Sequence, residues 1–339
     1  PTGTIAQGVG AKQVNAKGEV YEDKYGLTTS ERVYGTVMEN LEGRGPCYLR
    51  TEGISDEQDE SLKKAYLNMA PSQKPSEQNV EIEGTEPYIV GGHTASGYWV
   101  DTDRQTTIHG LYAAGDVAGG CPQKYVTGAM VEGEIVALHM VKELDAGQEL
   151  PVNEAEEETA LEEKIKEYNH YLTGTNDMFT VEALEEAMQK VMDNYAGGIS
   201  THYQFNEKQL ELAKEKIEQL QKLVWHISAH DMHELMFVYE VKERLTVALS
   251  VIAHLKDRKE TRWHSFAENL DYPEKSKEWE IFVNSKMVDG ELKMIHRELV
   301  NLCQVPAGNM ACSVSHSPEA TSNGLMFQGK GDAYEHSDK

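Results

Sequence analysis

The chain has 339 residues, in which 57 Asp and Glu outnumber 32 Lys and Arg and give a net charge of −25. A protein of this size buries a sizeable core and is expected to form two or three domains. The acidic balance argues against nucleic acid or an anionic membrane as partner, because both need a basic face. No apolar run approaches the roughly 20 residues that span a bilayer, and no secretory leader is visible, so we predict a cytoplasmic protein.

The first 83 residues combine short strands, turns and a helix. Val20–Tyr21 and Tyr48–Leu49 are strand-like, and Leu62–Met69 has a helical pattern that ends before Pro71. The four cysteines show no CxxC spacing, so neither a zinc site nor an iron–sulfur cluster is predicted in this chain.

The most informative stretch is residues 107–144. A short apolar run, Leu111–Ala114, ends at Gly115–Asp116, as a buried strand does when it meets a turn. A glycine-rich loop follows, and its bare backbone admits a close neighbour. From about Gly128 the spacing is helical, with apolar residues at Val131, Ile135, Leu138 and Val141. Strand, carboxylate, glycine loop and helix N-terminus together predict a site for a polyol chain with a phosphate, because helix N-termini attract anions.

Helical patterns dominate residues 154–256. Seven of the fifteen residues in 149–163 are Glu, which is typical of a solvated helix start. Two later segments each carry one apolar stripe, which predicts a helical bundle. The stripes are Leu210, Ala213, Ile217, Leu220 and Val224, and then Leu235, Val238, Leu245, Leu249 and Ile252.

The pattern of residues 107–144 is similar to the second flavin-contacting segment of the fumarate reductase and succinate dehydrogenase flavoprotein superfamily. Upstream, residues 86–94 (EPYIVGGHT) and 97–100 (GYWV) resemble the adenylylsulfate reductase alpha subunit family more specifically. Residues 45–52 (GPCYLRTE) and 272–275 (YPEK) extend this resemblance. It runs in one order from about residue 1 to about residue 298.

The resemblance implies a mixed α+β and α/β fold, the C-terminal part of an FAD-binding flavoprotein. Residues 1–83 would end the substrate-capping domain, 84–148 would be the flavin-binding segment, and 149–300 would be a helical C-terminal domain. Residues 301–339 have no counterpart in the family, and their Ser-, Gly- and Asn-rich composition without periodicity predicts a disordered tail. No GxGxxG fingerprint follows a strand here. We therefore expect the half that holds the FAD pyrophosphate to be missing from this chain.

The resemblance also implies roles for individual residues around FAD. Asp116 would accept hydrogen bonds from the ribityl hydroxyls, although aspartate is also common in ordinary turns. Other residues would leave space for the cofactor or lie near the pyrimidine edge of its ring. These cofactor-contacting residues are Gly92, Gly115, Gly119, Gly120, Thr127, Gly128, Ala129 and Met130.

Three residues are candidates for catalysis. His93 would face the substrate cleft and donate a hydrogen bond to substrate or flavin, the alternative being a structural imidazole. Gln123 stands where the family has histidine, so it would bind a sulfonyl oxygen without transferring a proton. Lys124 would neutralise an anion.

The implied reaction is the two-electron reduction of adenylylsulfate to sulfite and AMP. The reduced flavin would attack sulfur, and electrons would arrive from an iron–sulfur beta subunit with two [4Fe–4S] clusters. Three alternatives stay open: a fumarate-reductase-type enzyme for another small anion, a flavin-binding scaffold without catalysis, and an inactive fragment. Fumarate reduction loses its acid catalyst, because Gly35 aligns with the superfamily's proton-donating arginine.

One further cluster has metal-ligand spacing. His226, His230 and His233 follow one another at i, i+4 and i+7, which would place them on one helical face. A solvated surface or an interface explains three such histidines better, so no metal site is predicted.

Overall fold

The computed structural model describes residues 10–25, 29–66, 79–84, 96–120, 126–147, 153–175, 178–262, 264–265 and 267–299. The helices are α1 Glu22–Tyr25, α2 Thr29–Leu41, α3 Asp56–Tyr66, α4 Val126–Asp145, α5 Glu154–Leu172, α6 Val181–Tyr195, α7 Glu207–Val224 and α8 Met232–Asp257. The strands are β1 Lys12–Val14, β2 Cys47–Arg50, β3 Val80–Ile82, β4 Gln204–Phe205, β5 Glu268–Asn269, β6 Ile281–Val288 and β7 Glu291–Glu298. None of these described helices is long and apolar enough to cross a membrane.

The chain divides into two compact units. The first unit comprises residues 1–88, 197–205 and 261–274, and the second comprises 89–196, 206–260 and 275–339. Helix and strand are both present, as the predicted mixed fold class requires.

The first unit contains an antiparallel sheet in the order β1-β2-β3. Cys47 and Leu49 of β2 are buried while Tyr48 and Arg50 are more accessible, which is the two-residue alternation of a strand with one covered face. Leu49 packs in a core with Leu62 of α3 and Val80 of β3. The predicted strand at Tyr48–Leu49 is confirmed, and α3 begins six residues before the predicted start at Leu62.

A buried carboxylate, Glu39 of α2, ties the first unit together electrostatically. Arg44 donates to it through Nε and Nη2, each at 2.6 Å. Tyr25 Oη donates at 2.9 Å and Asn15 Nδ2 at 3.1 Å. The hydrogen bonds from Arg44 above all hold the pKa of Glu39 well below its ordinary value, against the opposing effect of burial.

Helices α6, α7 and α8 of the second unit pack as a bundle with α5 against α8. Both predicted apolar stripes are confirmed, because α7 buries Leu210 and Ile217 and α8 buries Val238 and Leu245. The starts of α6, α7 and α8 have side-chain caps. Asn206 forms a capping box with Gln209 in front of α7.

The end of the predicted helical domain, residues 149–300, is not helical. Strands β6 and β7 form an antiparallel hairpin in which Ile281 faces Glu298 and Val288 faces Glu291. Asp289 and Gly290 close it with positive φ angles of 53° and 81°, as a tight hairpin turn with two left-handed residues requires. The Asp-Gly pair is the sequence signal for this turn, and the helical interpretation overlooked it.

Glu167 of α5 provides a pH test of the bundle. It pairs with Lys164 at 2.8 Å and with Lys242 of α8. Burial raises its pKa, but hydrogen bonds from Lys164 and Lys242 outweigh burial and lower the pKa from 4.5 to about 2. Because the folded pKa is depressed, this stabilisation is complete above pH 4.5 and is lost as the pH falls towards 2.

We expect Glu167→Gln to lose about 1 kcal/mol of unfolding free energy at pH 7. The difference from wild type should shrink as the pH falls from 4.5 to 2, since the wild-type carboxylate is then protonated. Thermal unfolding, monitored by circular dichroism at each pH, measures the stability loss and its pH dependence. Glu163→Gln, on the exposed side of α5, is the matched control. A Glu167→Gln deficit that stays constant over this pH range would contradict the assignment.

Candidate functional site

The structure describes most of the predicted cofactor-contacting residues. They are Gly115, Asp116, Gly119, Gly120, Thr127, Gly128, Ala129 and Met130. Gly92, His93, Gln123 and Lys124 lie outside the described residues, so their roles stay predictions.

The predicted buried strand at Leu111–Ala114 is wrong. Tyr112 forms only an isolated bridge with Gln105, and Leu111 is 50% exposed. Residues 115–117 form a single 3₁₀ turn, and the Asp116 side chain is exposed on it. A strand needs a hydrogen-bonding neighbour along its length, and the described part of the chain supplies only that one bridge.

Helix α4 forms as predicted, but its apolar stripe is not buried. Val131, Leu138 and Val141 are 53%, 67% and 56% exposed. The first turn of this 20-residue helix has no acidic side chain. Its N-terminus therefore keeps the partial positive charge of the helix dipole, in a protein that is otherwise strongly acidic.

The glycine turn and the start of α4 meet at Gly115. This residue has φ +74°, and a Cβ built on it would lie 3.1 Å from Cβ of Ala129. Its N–H donates to Oε2 of Glu132 at 3.0 Å. The structure thus brings the Asp116 turn and the first turns of α4 into direct contact.

Gly119 has a packing reason to be glycine. Its N–H donates to the Tyr98 carbonyl at 2.8 Å, and Tyr98 N–H donates to the Val117 carbonyl at 2.7 Å. A Cβ on Gly119 would lie 2.9 Å from the Tyr98 carbonyl oxygen. Glycine at position 119 allows this backbone to approach the backbone of Tyr98 closely. Its contact with a cofactor stays a prediction.

Two residues of this region were not predicted. Arg104 and Glu132 are both buried, and Arg104 Nε lies 3.1 Å from Glu132 Oε1. The sequence signal for this pair was Glu132 itself, a carboxylate within a helical segment that is otherwise rich in apolar residues. Burial of an ionised side chain needs a partner of opposite charge, and here the partner is 28 positions away along the chain.

The three histidines at 226, 230 and 233 do not share a helical face. Helix α7 ends at Val224, and α8 begins at Met232 after the N-cap Asp231. His230 pairs with Glu234 at 2.6 Å. Among the described residues no group of three or more His, Cys, Asp or Glu side chains is arranged to hold a metal ion.

Gly35, which aligns with the superfamily's proton-donating arginine, packs closely against Tyr25. A Cβ on Gly35 would lie 2.9 Å from Cδ2 of Tyr25. The nearby Arg44 is engaged by Glu39, and it also pairs with Glu42. Its pKa is raised by the hydrogen bonds to Glu39 first and Glu42 second, so it holds its proton more tightly than an ordinary arginine.

Comparison with known proteins gives a consistent likeness. The chain is 28% identical to the adenylylsulfate reductase alpha subunit of Megalodesulfovibrio gigas over 348 residues, covering 81% of this chain and 52% of that protein. It is 26% identical to an uncharacterised FAD-dependent oxidoreductase of Methanocaldococcus jannaschii, covering 82% and 53%. The chain therefore spans about half the length of these curated relatives. No family model matches the sequence.

Solved structures agree. Adenylylsulfate reductase from Archaeoglobus fulgidus superposes with a TM-score of 0.77 at 28% identity, covering 90% of this chain and 58% of that one. An adenosine-5-phosphosulfate reductase in complex with covalently bound sulfite gives the same values. Escherichia coli quinol fumarate reductase gives 0.69 at 17% identity, covering 90% and 57%, which shows a shared fold. The chain is thus similar to the adenylylsulfate reductase alpha subunit and has the fold of the fumarate reductase flavoproteins.

Gly119→Ala tests the backbone contact beside the turn. The added methyl would meet the Tyr98 and Gly97 carbonyl oxygens at 2.9 and 3.1 Å, so we expect a loss of about 1–3 kcal/mol in urea unfolding. Gly133→Ala on α4 is the control, because its Cβ would have no neighbour within 4 Å and alanine favours a helix. Equal stability of the Gly119→Ala variant and wild type would refute this packing.

Proposed function

We propose that this chain is part of an FAD-dependent oxidoreductase that reduces adenylylsulfate to sulfite and AMP. The observation that carries the proposal is the contact between the Gly115–Asp116 turn and the N-terminal turns of α4. Similarity to the adenylylsulfate reductase alpha subunit over 81% of the chain supports the substrate class.

The described residues fit FAD. The exposed Asp116 carboxylate is an acceptor for ribityl hydroxyls, and it lies one residue from the glycine that contacts Ala129. The N-terminal turn of α4, with Thr127 and Met130 exposed and no acid, favours a nearby negative charge. When bound, FAD would supply two-electron chemistry, and these residues would bind and orient it.

The surface of α4 supports a cofactor site that is completed by further polypeptide. In addition to Val131, Leu138 and Val141, the helix has two further exposed apolar side chains, Met130 and Leu144, each 71% exposed. Apolar side chains clustered on one helix at this exposure are typical of an interface. The match covers about half of each relative. We propose that polypeptide corresponding to the other half of the relatives covers α4.

For the substrate, we propose that Lys124 neutralises the anion and that Gln123 and His93 donate hydrogen bonds to it. Glutamine does not titrate, so any proton transfer would fall to His93. Gly35 argues against fumarate, because glycine has no side chain to supply the proton that the superfamily's arginine donates. Electrons would come from a separate iron–sulfur subunit with two [4Fe–4S] clusters.

The role of Asp116 is tested by flavin affinity. In the protein expressed with its complete reading frame, Asp116→Ala removes an acceptor from buried hydroxyls, a change of about 1–3 kcal/mol. The dissociation constant for FAD should rise about tenfold to a hundredfold, measured by quenching of flavin fluorescence. Asp145→Asn, at the far end of α4, is the control. An unchanged dissociation constant for FAD would mean that Asp116 is an ordinary turn residue.

The substrate is tested by parallel assays with a reduced dye as electron donor. We expect turnover with adenylylsulfate, none with fumarate, and loss of the oxidised flavin absorbance when sulfite is added. Gln123→His should introduce a pH dependence of turnover near neutrality, because an imidazole titrates there. Fumarate turnover without any effect of sulfite would favour the fumarate-reductase-type alternative.

A further inference from the structure

Two buried, oppositely charged side chains hold the glycine turn. Arg104 and Glu132 have relative exposures of 8% and 4%. Glu132 uses both carboxylate oxygens: Oε1 lies 3.1 Å from Arg104 Nε, and Oε2 accepts the Gly115 N–H at 3.0 Å. A single carboxylate therefore joins residue 104, the turn and helix α4.

The backbone of Arg104 completes the arrangement. Its carbonyl accepts the Ala113 N–H at 3.0 Å, and its Nη1 donates to the Thr102 carbonyl at 2.8 Å. Arg104 has φ +69°, a left-handed conformation that non-glycine residues adopt only when the surrounding structure imposes it. Arg104 thus holds Ala113 by its backbone, while its side chain faces the carboxylate that holds Gly115.

We propose that Arg104 and Glu132 are a positioning pair that fixes the Gly115–Asp116 turn against α4 and thereby sets the place of the Asp116 carboxylate. The flavin part of this inference rests on the proposed function. A buried ion pair is often no more stabilising than two apolar side chains of similar size. What apolar side chains cannot do is accept the Gly115 N–H, so the pair's distinctive contribution is the position of the turn.

Amide hydrogen exchange of the 339-residue chain, read at Gly115 by NMR, tests the positioning directly. The double variant Arg104→Met/Glu132→Met removes the charges and the acceptor together. We expect Gly115 exchange at least tenfold faster than in wild type, with a urea midpoint that stays close to wild type. Glu132→Gln keeps an oxygen acceptor, so it should restore part of the protection. Glu134→Gln, an exposed position on α4, is the control and should exchange as wild type.

Gly115 exchange at the wild-type rate in the double variant would overturn the proposal. If the double variant does not fold, Glu132→Gln decides: it should speed Gly115 exchange more than Glu134→Gln does, and equal rates would overturn the proposal.

The flavin readout uses the protein expressed with its complete reading frame. The double variant should bind FAD at least fivefold more weakly. Adding Asp116→Ala to the double variant should weaken FAD binding by less than Asp116→Ala does in wild type, because both changes act through the Asp116 carboxylate. Fully additive effects would overturn the link to Asp116. If the wild-type protein binds no FAD, the proposed function fails, whereas the Gly115 exchange result still decides whether the pair positions the turn.

Discussion

The candidate site depends on a single requirement, that a buried carboxylate must have its charge and its lone pairs satisfied. Glu132 is 4% exposed; the Arg104 guanidinium balances its charge, and the Gly115 N–H donates a hydrogen bond to it. An unpaired buried charge would cost several kcal/mol. The Glu132 side chain therefore joins the turn, the start of α4 and the segment that contains Arg104.

The same rule operates elsewhere in this acidic chain. Glu39 in the first unit and Glu167 in the second are largely removed from solvent, and each is surrounded by donors. The pKa of both carboxyl groups is lowered. In a chain with a net charge of −25, Glu39, Glu132 and Glu167 each contact residues that are distant in sequence.

Helix α4 shows the opposite situation, an apolar surface without a partner in the described residues. Its sequence pattern is that of a buried helix, and yet Leu138 and Leu144 are 67% and 71% exposed. The Leu111–Ala114 segment likewise has the composition of a strand, and among the described residues it has only one bridging neighbour. Both features are consistent with a chain that spans about half the length of its relatives.

The sequence by itself determined the helices whose apolar periodicity is buried by neighbours in the same chain. The stripes of α7 and α8 needed only the 3.6-residue repeat, because Ile217 and Val238 are covered by other helices of the bundle. The Asp289–Gly290 turn is also specified locally, by two left-handed residues, although the helical interpretation of this region overlooked it. Motif similarity placed Asp116 beside the start of α4.

Tertiary structure decided the rest. Whether Leu111–Ala114 pairs as a strand depends on neighbours that the local sequence does not contain. The break between α7 and α8, which separates His226 from His233, is an exception, because it follows from the local Asp231 cap that the helical-face interpretation overlooked. Arg104 and Glu132 are charged residues that composition assigns to the surface. Only folding brings them within 3.1 Å of each other, where pairing makes their burial tolerable and gives the glycine turn its position.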